Sequence, residues 1–317
     1  MRGVKRAGNV VLALLACAAC ATSPIEERSD ALAPFTIALR DSQPDGALAV
    51  VYEMRGARLV WIAAEHATRT DSLTFSLIND AYRYFDFDTV IVEGCPASWG
   101  ANAERLVNYA QEGAGKEKDG FQPNGETVPT VLGGIADGAT IYCGEPDDAA
   151  LLQFLSERGI AAADVLGFYT MRMIPQWIRE RQIVDAGDPA VDALLDEELR
   201  RNRGDLGLDE DVLATVGDLR RWYEAKNGKA LDAGIKLEEV GPLADGPYET
   251  NVVGAAISRA RAAYLHGLVI DRLKEGGSLL VVFGASHLMI HKPALDASLG
   301  EACYYGAALQ DALTSRR

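Results

Sequence analysis

Residues 279–287 read LLVVFGASH, and residues 59–66 read LVWIAAEH. The first apolar run ends at Gly284 and the second at Ala63, and in both a histidine follows three positions later. The whole chain of 317 residues contains only 4 histidines. Short, continuous apolar runs are typical of strands buried in a parallel sheet. Because ligands of open α/β sheets bind beyond the carboxyl ends of the strands, we expect both imidazoles at one crevice.

The remaining apolar patterns predict how the sheet is built. Strands are expected at 35–39, 47–52, 59–62, 89–92, 140–143 and 279–283, and helices at 72–85, 149–158, 162–184, 189–201, 211–226 and 251–274. Turn residues crowd the connection between the first two strands, which predicts a hairpin at a sheet edge. The sequence therefore predicts an α/β fold with a largely parallel or mixed sheet, built from two similar halves, and an inserted helical cap.

This organisation divides the chain into five parts. We expect a lipoprotein-type signal peptide at 1–19, a polar tether at 20–33, the first half of the α/β domain at 34–146, the helical cap at 147–240, and the second half of the α/β domain at 241–317. Trp177, Trp222, Met171 and Met173 lie in the helical region at spacings typical of helix packing. We interpret them as core or cleft walls.

The N-terminus has the pattern of an export signal. Positive charges at residues 2–6 precede an apolar stretch at 10–16, which is too short to span a bilayer. Residues 14–17 read LLAC and resemble a bacterial lipobox, with Cys17 as the lipidated residue and Cys20 as the second candidate. An ordinary secretory signal is the alternative. We expect a protein exported and lipid-anchored to a bacterial membrane, the outer membrane facing the periplasm, that contacts lipid through this anchor only.

Net charge and cysteine content limit the classes of partner and the chemistry that we expect of this protein. The formal net charge of −15 argues against nucleic acid as a partner, because binding to phosphates needs a basic patch. Three cysteines follow the signal: Cys95, Cys143 and Cys303. An exported protein permits a disulfide, and Cys95 and Cys143 each end a predicted strand, but we interpret all three as core thiols.

Ionisable residues gather at the predicted strand ends. His66 and His287 are candidates for metal ligation or general-base catalysis. Glu93 ends the next strand after His66 and precedes a glycine, so we interpret it as a metal ligand or a general base. A helix N-cap or a salt-bridge partner is the alternative for Glu93. Glu145 and Glu65 are possible additional members, and Asp147 or Asp148 is expected to begin the helix after Glu145 as its cap.

The long helix before the second histidine carries Arg259 and Arg261, and either guanidinium has the donors to bind a carboxylate or stabilise an oxyanion. His266 and His291 lack a strand-end context and are interpreted as structural, and Ser286 lacks the strained elbow of a nucleophile. No GxSxG, HExxH, Walker A or dinucleotide motif occurs, so the commonest hydrolase, zinc-protease and nucleotide-binding signatures are missing.

Taken together, these motifs resemble the superfamily of the TraB and GumN proteins, the Tiki proteases, the ChaN haem-binding lipoproteins and the erythromycin esterases. The resemblance covers residues 59–94 and 251–288, less than a third of the chain, and is closest to the TraB and Tiki branch. In this resemblance, the motif positions are matched by His66, Glu93, Arg261 and His287. The sequence departs from the pattern where Ala63 replaces a glycine and where alanine follows the arginine.

The resemblance implies a hydrolase of peptides or small-molecule esters. His66, Glu93 and His287 would hold a divalent metal (Mn, Co, Fe or Zn), and Arg261 would stabilise the charge that develops on the attacked carbonyl. A haem- or iron-binding lipoprotein of the ChaN type is the first alternative. A catalytically degenerate structural lipoprotein is the second.

Overall fold

A central sheet carries the elements that hold the candidate residues. The computed structural model describes residues 31–179, 182–231 and 234–314. Its strands are β1 (Leu48–Met54), β2 (Ala57–Ala64), β3 (Thr89–Pro96), β4 (Thr140–Glu145), β5 (Gly277–Gly284) and β6 (Tyr304–Gly306), in the order β4-β3-β5-β2-β1-β6. The predicted signal at 1–19 and the tether up to residue 30 lie outside the described residues.

Helices cover the sheet and fill the region between β4 and β5. They are α1 (Ile37–Asp41), α2 (Leu73–Tyr84), α3 (Glu104–Gly115), α4 (Thr127–Asp137), α5 (Asp148–Ser156), α6 (Ala162–Met171), α7 (Met173–Arg179), α8 (Val191–Asp205), α9 (Val216–Asn227), α10 (Glu249–Glu275), α11 (Ala285–Leu299) and α12 (Gln310–Thr314). Within the described ranges, no helix is both long and apolar enough to cross a membrane.

The sheet is mixed, as the sequence predicts. Strands β2, β5, β3 and β4 pair in parallel, and β1 pairs antiparallel with β2 and with β6. The parallel register places Ala64 of β2 opposite Gly284 of β5. The two histidine-bearing strands are therefore direct neighbours and end at the same edge.

Alternate side chains of each central strand pack into two separate cores. Val60, Ile62 and Val282 belong to the core beneath α2, α3 and α4. Trp61 and Phe283 belong to the core on the opposite face, beneath α10 and α11. Because both faces are covered, the strands read as continuous apolar runs. Helices α5 to α9 form a third core of their own, together with part of α10.

The predicted edge hairpin is wrong. Residues 35–39 contribute to α1, because the Thr36 side chain accepts from Leu39 N at 3.1 Å and caps a helix. The Ile37 N–H donates to Asp245 Oδ1 at 2.7 Å, a contact 208 positions away in sequence. The hairpin instead joins β1 and β2, and its turn includes Gly56 at φ +84°.

The long helix predicted over 162–184 is divided into α6 and α7. Pro175 lies in the first turn of α7, and it has no N–H to donate to Met171, the last residue of α6. Met171 and Trp177 on these helices are buried in the helical core, where the sequence places them.

The interpretation of the cysteines is also wrong. Cys95 and Cys143 form a disulfide between β3 and β4, and both are buried. Cys303 is exposed rather than in the core, because it precedes the short edge strand β6, and its thiol donates to the carbonyl of Val51 at 3.2 Å.

The disulfide lies beside an irregularity in the sheet. Val92 pairs with Cys143 and Pro96 pairs with Glu145, so three residues of β3 stand opposite Gly144 alone. Gly94 lies within this bulge at φ +87°, a backbone conformation that favours glycine. The bulge redirects the end of β3, where Glu93 lies.

Candidate active site

His66 follows β2 and is oriented by a carboxylate. Its Nδ1 lies 2.6 Å from Oε1 of Glu126, the residue before α4. An ionised carboxylate only accepts, so Nδ1 carries the proton. Glu126 Oε2 also accepts from the Ala67 N–H at 3.2 Å, which fixes the carboxylate. The Nε2 atom of His66 is thereby directed away from Glu126, and 62% of the side chain is exposed.

The charge of Glu126 controls the proton affinity of His66. The hydrogen bond to Glu126 raises the pKa of His66 to about 9, from an ordinary value of 6.5. The nearby carboxylate of Glu93 acts in the same direction. At neutral pH the imidazole is therefore largely protonated, and its neutral form becomes abundant as the pH approaches 9.

Glu93 lies at the centre of the site. Its Oε2 accepts from the Gly284 N–H at 2.6 Å, and its Oε1 accepts from Nη2 of Arg261 at 2.8 Å. The Nε2 atoms of His66 and His287 lie 4.0 and 3.6 Å from the same carboxylate. Burial alone would raise the pKa of Glu93, but His287, Arg261 and His66 outweigh it and lower the pKa to about 2.

Arg261 joins two strand ends. It projects from α10, and its Nε and Nη2 atoms each lie 2.5 Å from an oxygen of Glu145 at the end of β4. The same Nη2 reaches Glu93 on β3. Burial disfavours the guanidinium charge, but Glu145 and Glu93 raise the pKa of Arg261 above its ordinary value. Glu145 is therefore a member of the cluster, as its sequence position suggests.

His287 lies in the first turn of α11 and is 4% exposed. Burial lowers its pKa below the ordinary 6.5, while Glu93 acts in the opposite direction. Its Nδ1 is buried and has no hydrogen-bond partner among the described residues. The ring packs edge-on against Phe283 with 5.2 Å between centroids. We therefore assign a neutral imidazole to His287, in contrast to His66.

The structure explains the glycine of the second motif. A Cβ on Gly284 would lie 3.0 Å from His66 Nε2 and 3.4 Å from Glu93 Oε2. The first distance is tighter than most Cβ contacts, so the His66 ring would have to move by a few tenths of an ångström, whereas the second is an ordinary van der Waals contact. Ala63, at the equivalent place in the first motif, is buried in the core behind α10 and α11 and faces Phe283 in the register. Hence a side chain at Gly284 would approach the site, whereas the Ala63 side chain packs in the core.

Other sequence candidates lie outside the cluster. Glu65 is exposed, and its carboxylate makes no hydrogen bond or ion pair among the described residues. Arg259 is exposed on α10 and lines a separate pocket. His266 is buried, and His291 has its ring nitrogens 2.6 and 3.0 Å from the carbonyl oxygens of His287 and Ala262. His291 thus connects α11 to α10 behind the site.

The sequence gives no indication that Glu126 belongs to the site. It directly precedes α4 and lies 60 positions from His66 in the chain. In the helical region, burial raises the pKa of Tyr169, and the positive charges of Arg172 and Arg261 act in the opposite direction.

The residues of the site do not fit a bound metal as they are arranged. The two Nε2 atoms and Glu93 face each other, but both oxygens of Glu93 are already occupied by Arg261 and the Gly284 N–H. Arg261 supplies the positive charge that a cation would bring. Across the described residues, no group of three His, Cys, Asp or Glu side chains has the arrangement of a metal site. A divalent metal bound by His66, Glu93 and His287 therefore stays a prediction, and so does the alternative of bound haem.

Comparisons of the chain with models of protein families, with curated proteins and with solved structures found no match. The resemblance to the TraB and Tiki branch therefore depends only on the strand-end motifs and on Arg261 of the helix between them.

Proposed function

We propose that this protein is an exported, membrane-tethered hydrolase of peptide or ester bonds, with its site at the common ends of β2, β3, β4 and β5. The observation that carries the proposal is the exposed imidazole of His66, held by Glu126 through Nδ1 and presenting Nε2 beside Glu93. A carboxylate that fixes the tautomer of a solvent-accessible histidine is the arrangement of a general base.

In this proposal His66 moves the proton. Its neutral Nε2 takes a proton from a water molecule as the water oxygen attacks the substrate carbonyl. The same nitrogen then gives that proton to the departing amine or alkoxide, so one imidazole serves as base and then as acid. The imidazolium formed in between is stabilised by Glu126, which is 2.6 Å from Nδ1.

Arg261 and Glu93 supply the fixed charges. Nε and Nη2 of Arg261 hold the two glutamates. Nη1 has no acceptor at hydrogen-bonding distance within the described part of the chain, and we assign it to the negative charge on the carbonyl oxygen. Glu93, held by Arg261 and by Gly284, keeps this guanidinium in place beside His66 and His287.

The pH dependence tests the role of His66. Because the base is the neutral form and the pKa of His66 is about 9, kcat/KM should rise about tenfold per pH unit from neutral pH and level off near pH 9. His66→Gln should lower kcat/KM by about 10²-fold to 10⁴-fold. Turnover of a panel of chromogenic esters and fluorogenic peptides is the measurement, with Glu65→Gln as the control.

The same assay separates the alternatives. We expect turnover to survive EDTA, since no step needs a metal. Loss of turnover in EDTA and recovery with one added metal would instead support the predicted metal on His66, Glu93 and His287. A Soret absorption band without turnover would support haem binding, and no turnover of any substrate class would contradict the hydrolase proposal.

A further inference from the structure

Arg172 is an exposed arginine of the helical region that has no acidic partner. It lies at the junction of α6 and α7, directly after Met171. Its guanidinium makes no hydrogen bond or ion pair within the described part of the chain. Arg261, by contrast, holds two glutamates. The N–H groups of Arg172 can therefore be donated to a molecule from outside.

The guanidinium of Arg172 is nevertheless held in position. Its Cζ atom lies over the ring of Tyr169, 4.9 Å from the ring centroid. A cation–π contact of this kind holds the guanidinium without an acceptor for its N–H groups. The backbone N–H of Arg172 donates to the carbonyl of Phe168 at 3.1 Å, so the residue continues the last turn of α6. Because the side chain is ordered before a ligand arrives, less conformational entropy is lost on binding.

The packing of α6 on α10 brings this arginine toward the candidate site. The Phe168 ring lies so close to α10 that a Cβ on Gly254 would be 2.7 Å from it. Ala260, the residue directly before Arg261, belongs to the same hydrophobic core as Phe168. Thus α6 packs along the part of α10 that leads to Arg261, and the charges of Arg172 and Arg261 act on each other.

The charge of Arg172 is not compensated by its surroundings. Although solvent reaches the side chain, the protein around it removes part of its hydration, which lowers the pKa of Arg172, and the charge of Arg261 acts in the same direction. Glu145 and Glu93 act in the opposite direction but do not outweigh these two effects. Both glutamates are bound to Arg261. A guanidinium stays charged at neutral pH, so an anion from outside would supply the missing partner.

We propose that Arg172 binds a carboxylate of the substrate beside the bond that is cleaved, and so selects anionic peptides or esters. This inference rests on the proposed hydrolase and names the class of its substrate. The planar guanidinium forms two parallel hydrogen bonds with a carboxylate. Two groups present the same pair of oxygens: the free C-terminus of a peptide and the side chain of an acidic residue. Arg172 is thus a specificity-determining residue, while Arg261 faces the attacked carbonyl.

Three chromogenic substrates with one defined scissile bond test the proposal. They are furylacryloyl-phenylalanyl-alanine, its C-terminal amide, and furylacryloyl-phenylalanyl-aspartic acid α-amide. We expect wild-type kcat/KM for the free acid to exceed that for its amide at least about tenfold. The aspartyl amide shows the same preference where a side-chain carboxylate is accepted, and it matches the alanyl amide where only a C-terminus is.

Replacement of Arg172 should remove this preference. In Arg172→Gln we expect kcat/KM for the free acid to fall about tenfold to hundredfold, mainly through a higher KM, so that the ratio of acid to amide approaches one. Arg172→Lys keeps the charge without the fork and should recover part of the ratio. Arg200→Gln is the matched control, because it removes an exposed arginine that pairs with Asp196, and it should keep the wild-type ratio. Thermal unfolding of each variant verifies the fold.

The outcomes separate this inference from the proposed hydrolase. Equal hydrolysis of acid and amide by the wild type, or an unchanged ratio in a folded Arg172→Gln, would overturn the role of Arg172 and leave the hydrolase in place. Saturation-transfer NMR with N-acetylphenylalanine and its amide measures binding without turnover, and we expect the acid to bind at least about tenfold more tightly in the wild type only. Such selective binding without hydrolysis of any substrate would contradict the hydrolase but support Arg172, and binding without selectivity would overturn the inference.

Discussion

Glu126 sets the proton affinity of His66 through one hydrogen bond of 2.6 Å. Glu126→Gln removes the negative charge, so the pKa of His66 should fall from about 9 toward its ordinary value of 6.5. A histidine whose pKa is higher in the folded than in the unfolded protein adds to the free energy of unfolding. In the wild type this added stability is complete below pH 6.5, the pKa of an unfolded histidine, and is lost as the pH rises through 9. NMR titration of the His66 ring protons measures the shift.

The control for this titration is Glu65→Gln, which changes an exposed neighbouring carboxylate that makes no hydrogen bond or ion pair within the described part of the chain. It should leave the pKa of His66 within a few tenths of the wild-type value. If both variants shifted it equally, the general negative charge of the chain, rather than Glu126, would determine the affinity.

Gly284 is the second residue whose identity matters at the site. Gly284→Ala places a Cβ 3.0 Å from His66 Nε2, so we expect a fold that unfolds cooperatively and a hydrolytic rate reduced at least about tenfold. Gly144→Ala is the contrast, because its Cβ would lie 2.3 Å from the Phe283 ring and should destabilise the core instead. Urea unfolding beside turnover distinguishes the two effects, and equal turnover in Gly284→Ala would contradict the proposed position of His66.

At this scale the sequence predicts well the residues at strand ends. His66, Glu93 and His287 are found together because parallel strands must end at one edge. Glu126 was not predictable, since it enters from a loop 60 positions away and nothing local marks it. The pairing of Arg261 with Glu145 depends on how α10 crosses the sheet, which periodicity does not specify.

At the scale of elements, the disulfide fixes the bulge that carries Glu93. Cys95 and Cys143 close a loop with a sequence separation of 48 residues. Replacing both with alanine should lower the free energy of unfolding by about 2–5 kcal/mol, mainly because the unfolded chain gains freedom. Urea denaturation measures the change. Cys303→Ser, at the exposed thiol, is the control and should stay within about 0.5 kcal/mol of wild type.

The pattern of apolar residues predicts some secondary-structure elements correctly and others not. The buried strands β2 to β5 were predictable because both faces are covered and their sequences are uniformly apolar. Residues 35–39 are equally apolar but form part of α1, since a Thr36 cap and the distant Asp245 determine their conformation. The three-residue strand β6 was not predicted, because only its pairing with β1 makes it a strand.

At the scale of the whole molecule, β5 lies in the middle of the sheet although it is the fifth strand in sequence. It pairs with β2 on one side and β3 on the other. A chain ending at Glu275 lacks β5, which leaves β2 and β3 each without a partner on one side and divides the sheet into two pairs of strands, so it should show no cooperative transition in urea. A chain ending at Thr314 is the control. Cooperative unfolding of the shorter chain would mean that β2 and β3 pair directly.

The central place of β5 also determines when the site can assemble during synthesis of the chain. Synthesis proceeds from the N-terminus, so His66, Glu93, Glu126 and Glu145 are all made long before the strand that brings them together. Until Gly284 is present, Glu93 has no backbone donor from β5 and no neighbouring His287. An emerging chain therefore carries the parts of the site in an unassembled state, and the cluster forms only when about nine-tenths of the described chain exists.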